Sequence, residues 1–365
     1  MPFQFNPPDG FKNKTVFPTT PASEDEFRAQ MWAPFEQVRD YINQHLPTLD
    51  TPSMGLYRNA IINGNFDVWQ RGTSFTTSNG YTADRWAFAR TGSAFTTVSR
   101  STDVPDGKST YSLRFSGDYA PGEVQEFKYY MEGKDAAKFA GQQVTIAFQH
   151  KESVSAGNTT PQIFVAYATA PDNFASIHQV GTSGPLSASA NYTKVSYTLT
   201  LPAVSGGHSI ANGLVIIIRH TQGGTTGTLT GNLSQVQLCT GDVALPFQPR
   251  SFAEELALCQ RYYEKSYEYA TPPGTTDVNK GYIGIDLGTD TTGKIDVPVR
   301  FSVSKRIAPT VILYDPIGNA NAVFRGSYNK PAEAVDIGDT GFVARTTDPT
   351  SASGIYFHWT ADAEL

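Results

Sequence analysis

The sequence predicts a mainly β protein, and three observations carry that prediction. Short runs that alternate apolar and polar residues recur along most of the chain. Asp-Gly, Pro-Gly, Gly-Gly and Ser-Gly pairs separate them at short intervals. With 32 Gly, 23 Pro and only 17% charged residues, the composition favours strands joined by turns over helical bundles. The 18 Tyr and 22 Phe suit half-buried pleated surfaces. At 365 residues the chain has room for two or three folded units.

Residues 1–50 read as an arm and a helix. Pro2, Pro7, Pro8, Pro18 and Pro21 forbid helix, and Asp9-Gly10 signals a turn. Phe3, Phe5, Phe11, Val16 and Phe17 make the arm sticky, suited to docking on another surface or on its own chain. Ser23-Glu24-Asp25-Glu26 is a capping box, and Phe27, Met31, Phe35, Val38 and Ile42 then form one apolar stripe, interrupted by Pro34. The stripe must be buried against copies of itself, as an oligomerisation element, or against the following domain.

Residues 51–250 carry the β pattern. Expected strands are Ala60–Ile62, Trp86–Arg90, Phe95–Arg100, Ser112–Ser116, Val124–Tyr130, Val144–Gln149, Ile163–Thr169, Thr193–Leu201, Gly213–His220 and Gly231–Leu238. YSLRF and VTIAFQH alternate; LVIII does not and should be buried on both faces. That density of short strands reads as a jelly-roll or related β-sandwich. At 251–270 a linker helix is expected, capped by Ser251 and Glu254, with Phe252, Leu256, Cys259, Tyr263 and Tyr267 on its stripe. Residues 271–365 return to strands, in GYIGIDL, KIDVPVRFSV, PTVILYD, AVFRGSY, TGFVARTT and GIYFHWTA, and predict a smaller C-terminal β-sandwich.

Several functions are disfavoured at once. Twenty-eight Lys and Arg against 34 Asp and Glu give a net charge of −6 with no basic run, so no nucleic-acid partner is expected. No window approaches ~18 consecutive apolar residues, and MPFQFNPPDGFKNK lacks a signal-peptide core, so neither membrane insertion nor a cleaved leader is expected. Cys239 and Cys259 fit two buried thiols as well as one disulfide. Gly288 to Lys294 matches seven positions of a phosphate-binding loop, but Ile295 replaces the magnesium-binding hydroxyl and a strand follows, which reads as a hairpin turn.

No motif in the sequence gives positive support for an enzyme. The six histidines show no short ligand spacing; His150-Lys151-Glu152 has the H-x-E of zinc deaminases without its cysteine partner, and no G-x-S-x-G elbow occurs. Trp69, Trp86, Tyr129 and Tyr130 are the aromatics suited to stacking on sugars, although strand Trp and Tyr more often pack in a core. Tyr129 and Tyr130 must point to opposite faces. Asp84-Arg85 beside Trp86 reads as a buried ion pair that fixes a loop.

NAIINGNFDVWQRG, LSQVQLCTGDVALPFQPRSFAEELALCQRYYEKSY and VPVRFSVSKRIAPTVILYDPIGN are three stretches that resemble a known family, the structural and fibre-like virion proteins of tailed bacteriophages. NAIINGNFDVWQRG with GYTADRW resembles the opening of that family's central module, and LSQVQLCTGDVALPFQPRSFAEELALCQRYYEKSY its closing strand and following helix. VPVRFSVSKRIAPTVILYDPIGN resembles its C-terminal β-module. Asn63, Gly64, Phe66 and Asp67 are also similar to the first strand of jelly-roll carbohydrate-binding modules, where an acid often holds a structural calcium; Asp67 and Asp242 are the positions this implies. No other cofactor is expected.

The resemblance implies a virion fibre protein; the lack of catalytic motifs and of a signal-peptide core adds the expectations that it is not an enzyme and is made in the host cytoplasm. Its N-terminus would attach it to other virion proteins and its β domains would contact host-surface polysaccharide, while the stripe from Phe27 to Ile42 offers a way to self-associate as a homotrimer. A head-fibre, collar or baseplate component without ligand is the alternative, and a glycan-modifying enzyme the next.

Overall fold

Alternation decides which face of each strand is buried, and VQEFKYYM shows the rule: Gln125, Phe127, Tyr129 and Met131 are buried while Val124, Glu126, Lys128 and Tyr130 are half-buried. The structure is a computed structural model. It describes residues 59–365 apart from 93–95, 157–160, 206–208, 292, 326–327 and 348–351, and apart from the side chains of 287–291 and 352–353. The N-terminal arm and helix, with every expected anchor residue from Phe3 to Ile42, lie outside the described residues. Residues from Gly55 to Leu365 belong to one compact unit.

The central region is a sandwich of two six-stranded antiparallel sheets. Its strands are β1 (Ser74–Thr77), β2 (Asn79–Tyr81), β3 (Trp86–Arg90), β4 (Thr96–Ser101), β5 (Ser112–Tyr119) and β6 (Val124–Met131). After a one-turn helix α1 (Gly133–Ala136) come β7 (Gln143–Val154), β8 (Pro161–Ala170), β9 (Asn173–Thr182), β10 (Thr193–Thr200), β11 (Leu214–Thr221) and β12 (Gly227–Thr240). One sheet has the order β1-β4-β5-β12-β7-β10, and the other β2-β3-β6-β11-β8-β9. Between them lies the core, which includes Phe88, Phe115, Phe127, Ile146, Phe148, Ile216 and Leu233. Phe115 and Phe127 join the sheets with ring centroids 5.2 Å apart. Burying each such side chain stabilises the fold by ~1.5–3 kcal/mol. Leu214 to Ile218 are all buried, as their unbroken apolar run requires.

Helix α2 (Phe252–Gln260) follows, with Ser251 Oγ accepting from Glu254 N at 3.3 Å. It is shorter than the sequence suggests, and its buried face is different. Cys259 is buried as its place on the expected stripe requires, but Phe252 is 48% exposed and Glu255, off that stripe, turns inward. Tyr262 and Tyr263 leave the helix because β13 (Tyr263–Lys265) pairs with the end of the chain, so strand pairing overrides the helical spacing.

The remaining strands are β14 (Ile283–Thr291), β15 (Ile295–Arg300), β16 (Thr310–Tyr314), β17 (Ala322–Arg325), β18 (Tyr328–Pro331), β19 (Glu333–Val335), β20 (Gly341–Thr346) and β21 (Ala352–Asp362). The long β21 pairs with β13, β14, β16 and β17, and the sheet β15-β20-β19 packs over it through Val297, Val299, Phe342, Phe357 and Trp359.

Other expectations need correction. Ala60–Ile62 is not a strand; Ala60 N makes a backbone bond to Leu238 O at 3.0 Å. Residues 288–291 lie within β14, and β14 and β15 belong to different sheets, so the phosphate-loop look-alike is no hairpin turn. The strands β1, β2 and β9 escape the sequence reading because SFTT, NGY and NFASIHQVGT lack apolar alternation. Cys239 and Cys259 are both buried free thiols.

Candidate functional site

NAIINGNFDVWQRG folds around Asn63. Its backbone is left-handed (φ 55°), which Asn tolerates better than most residues. Asn63 Nδ2 donates to Val68 O and Asp84 O, both at 2.9 Å, and its Oδ1 accepts from Val68 N at 3.0 Å. The Asn63 amide donates to Glu255 Oε1 at 2.5 Å, and its carbonyl accepts from Trp86 Nε1 at 3.0 Å. Gly64 sits against the bulge in β12, where Val236 N donates to Gly64 O at 2.8 Å.

This stretch also joins the sandwich to the C-terminal strands. Gln70 Nε2 donates to Tyr263 O at 2.7 Å, and Trp69 N donates to Tyr269 Oη at 2.8 Å. Asp84 and Arg85 are both buried but do not pair with each other. Asp84 pairs with Arg71 at 3.2 Å, and Arg85 with Glu364, while the Arg85 guanidinium covers the Tyr262 ring at 3.4 Å. Burial pushes the Asp84 carboxyl up to about 6 against the opposing charge of Arg71. A cleft of about 560 Å³ opens beside this seam, lined by Arg71, Tyr263, Ile312, Asp362 and Glu364. Arg71 there is already engaged by Asp84, Asp362 and Glu364.

Three of the four aromatics picked out for sugar stacking are interior. Trp69 is 1%, Trp86 0% and Tyr129 2% exposed, so their rings have no face to offer a ligand. Phe66, Trp86 and Tyr129 pack in series with centroids 5.1 and 5.5 Å apart. Tyr130, on the opposite face of β6, is half-buried. His150, Glu152 and His220 come together between the sheets, fully enclosed.

Of the two outer sheet faces, that of β1-β4-β5-β12-β7-β10 is covered in part by loops of the chain itself, while Arg114, Lys194 and Ser196 on it stay exposed. Asp103 O accepts from Tyr192 Oη at 2.5 Å, and Ser109 Oγ meets Ser234 Oγ at 3.2 Å. Farther along, Leu245 O accepts from Gln237 Nε2 at 2.7 Å, and Ala244 O from Lys194 Nζ at 3.0 Å.

The outer face of β2-β3-β6-β11-β8-β9 carries a different surface. Cross-strand register places Ala87, Lys128, Ile217 and Phe164 in one row, Ala89, Glu126, Arg219 and Gln162 in the next, and Tyr130, Val215 and Ala166 on the other side. Ala166, Val215 and Ile217 form a small apolar floor flanked by half-buried Tyr130, Phe164 and Phe174. Tyr130 and Phe174 have centroids 4.7 Å apart, and the Arg219 guanidinium lies over Phe164 at 3.9 Å. Glu126 Oε1 accepts from Arg219 Nε at 2.6 Å, and Lys128 Nζ meets Glu126 Oε2 at 2.8 Å. Burial raises the Glu126 carboxyl, but the bond and charge of Lys128, then of Arg219, outweigh it and hold the pKa below its usual value. A depression of about 410 Å³ adjoins this trio, lined by Ala89, Thr91 and Val124 besides the charged side chains.

Sequence reasoning missed Phe164, Phe174, Arg219, Lys128 and Glu126 as a group. Alternation in VQEFKYYM and LVIIIRHT gives each residue its face, but only strand order makes them neighbours. The calcium positions do not converge: Asp67 bonds Asn65 Nδ2 through Oδ2 at 3.0 Å, and Asp242 is exposed. Among the described residues no group of three His, Cys, Asp or Glu could hold a metal ion. Nor is any described helix long and apolar enough to cross a membrane.

No family model matches this chain, and no curated protein matches it by sequence. Solved structures do overlap it in part. One is the enzymatically active domain of tailspike protein 4 of bacteriophage CBA120, at 16% identity and a TM-score of 0.33, over 51% of this chain and 22% of that one. Another is a carbohydrate-binding module of the β-sandwich superfamily, at 11% identity and 0.32, over 47% of this chain and 63% of that one. A third is the xylan-binding domain of Paenibacillus barcinonensis Xyn10C, at 10% identity and 0.28, over 48% of this chain and 99% of that one. The chain thus spans about a fifth of the tailspike domain and under two thirds of the first of these modules. At such scores the overlaps say nothing of what this chain binds.

Proposed function

We propose that this chain is a non-enzymatic, virion-borne glycan-binding protein that uses the outer face of the β2-β3-β6-β11-β8-β9 sheet. One observation carries the reading: half-buried Tyr130, Phe164 and Phe174 border an apolar floor on that face, next to a hydrogen-bonding charged trio. Sugar rings present apolar C–H faces and hydroxyl edges, so aromatic rings beside polar groups are the surface that recognises them. The virion part of the reading rests on the resemblance of NAIINGNFDVWQRG, the LSQVQLCTGD-to-EKSY stretch and VPVRFSVSKRIAPTVILYDPIGN to phage fibre proteins.

A shallow site of this kind binds at about millimolar, roughly −4 kcal/mol. A homotrimer presenting three such sites gains ~10²–10⁴ in avidity without a new contact, which gives the stripe from Phe27 to Ile42 a purpose. The test is attachment of labelled full chain to host cells, with Tyr130→Ala and Phe174→Ala variants alongside. Attachment should fall at least tenfold in both variants and after enzymatic stripping of surface polysaccharide. Absence of wild-type attachment would leave the ligand-free structural role, and attachment that neither stripping nor the two substitutions reduce would overturn glycan binding by this face.

A further inference from the structure

The unfilled hydrogen-bonding capacity of this face points to a more specific ligand. Among the described residues Glu126 is the only carboxylate lining the 410 Å³ depression, and both its oxygens are occupied. Arg219 gives it the Nε–Nη2 edge, with Nε at 2.6 Å and Nη2 at 2.5 Å from Oε1. The other edge of that guanidinium, through Nη1, makes no hydrogen bond with the described residues. Among the described residues Lys128 Nζ meets Glu126 alone, which leaves two of its three N–H donors open to a ligand. Two cations therefore share one carboxylate, and the capacity left over is donor capacity carrying positive charge.

Both cations are reachable: the Arg219 side chain is 32% and the Lys128 side chain 24% exposed. They are also held in place. Arg219 is clamped between Glu126 and the face of Phe164, so little side-chain freedom remains to be lost on binding. Ala87 and Ala89 keep the neighbouring strand low beside them. Arg90, which also lines the depression, is turned to Glu123 and the Tyr119 ring and is not part of the donor pair.

We propose that this face selects anionic, carboxylate-bearing glycans, with the carboxylate of one sugar on the open edge of Arg219 and on Lys128 and an adjacent ring over Tyr130. This deepens the glycan-binding reading and rests on it. A carboxylate matches the two-pronged guanidinium edge, whereas a neutral hydroxyl would leave one prong and a positive charge unanswered.

The test is binding of the full chain to polygalacturonate, hyaluronan and polysialic acid, each also after carboxyl reduction, with dextran sulfate as a charge control. At least one carboxylated polymer should bind ten or more times tighter than its reduced form. That preference should vanish in Arg219→Gln and in Lys128→Gln, both confirmed folded by circular dichroism. Tyr130→Ala should weaken the carboxylated polymer and its reduced form alike. Equal binding of carboxylated and reduced polymers, with Tyr130→Ala still damaging, overturns the anionic preference and leaves glycan binding intact. Equal retention on dextran sulfate that disappears with modest salt, or no binding to any carboxylated polymer, also overturns the proposal.

Discussion

Glu152 on β7 and His220 on β11 meet between the two sheets of the sandwich, Oε1 to Nε2, at 2.6 Å. His150 Nδ1, on β7 beside Glu152, reaches the same oxygen at 2.9 Å, so one carboxylate holds an imidazole of its own strand and one of the facing sheet, and the second links the sheets. Phe115 and Phe148 pack against these imidazoles, with ring centroids 5.2 and 5.4 Å away. Burial raises the Glu152 carboxyl, but the charge of His220 and the bonds from both histidines outweigh it and lower the pKa to about 2.

A carboxyl whose folded pKa is depressed adds stability above its unfolded value, and loses it as pH falls through the folded one. For Glu152 that window runs from about 4.5 down to about 2. Asp84, raised to about 6, titrates with the opposite sign, so the comparison must isolate Glu152. The stability gap between wild type and Glu152→Gln, from urea unfolding at stepped pH, should be widest above pH 5 and close toward pH 2. A gap that stays constant with pH would remove the carboxylate from this role.

Arg85 gives the second prediction. Its side chain is fully buried, and Glu364 is the carboxylate paired with it. Removing one partner of a buried pair leaves an uncompensated charge, at ~3–5 kcal/mol. Glu364→Gln should therefore lower stability by that amount, and Arg85→Met combined with Glu364→Gln should recover a large part of it. A double variant as weak as the sum of both singles would show that the pair is not coupled.

The two thiols are a third case. Cys239 and Cys259 are 0% exposed, and burial pushes both pKa values up. Thiolate is the reactive form, so both should resist a thiol reagent in the native chain and react together, as two equivalents, once it is unfolded. A single fast-reacting thiol under native conditions would contradict the burial of one of them.

What was legible in the sequence follows from which interactions are local. The strand Trp86–Arg90 is found as predicted, because alternation is written into five adjacent residues. Tyr129 and Tyr130 take opposite faces for the same reason. By contrast, α2 stops at Gln260 because residues at the far end of the chain pair with Tyr263, a contact no spacing pattern records. Asp84 and Arg85 are adjacent and of opposite charge, yet their partners are Arg71 and Glu364, set by the fold. The charged trio shares that origin: Glu126 and Arg219 lie 93 positions apart and meet only because β6 and β11 are neighbours.

The Asn63-Gly64 turn supplies the last prediction. Gly64 is needed for close approach: a Cβ built there would lie 2.0 Å from the carbonyl oxygen of Val236. That oxygen belongs to the backbone of the β12 bulge, beside left-handed Gln235, and cannot rotate away as a side chain would. Gly64→Ala must either separate the turn from β12, losing the 2.8 Å bond from Val236 N, or distort the bulge at the centre of its sheet. The cost should fall at or above the top of the ~1–3 kcal/mol range for overpacking. Gly107→Ala, at an exposed glycine whose Cβ would meet nothing within 4 Å, should change stability by no more than ~0.5 kcal/mol. Urea midpoints measured side by side decide it: equal midpoints for the two variants would mean that the turn does not need its glycine, and that Asn63 alone organises the stretch.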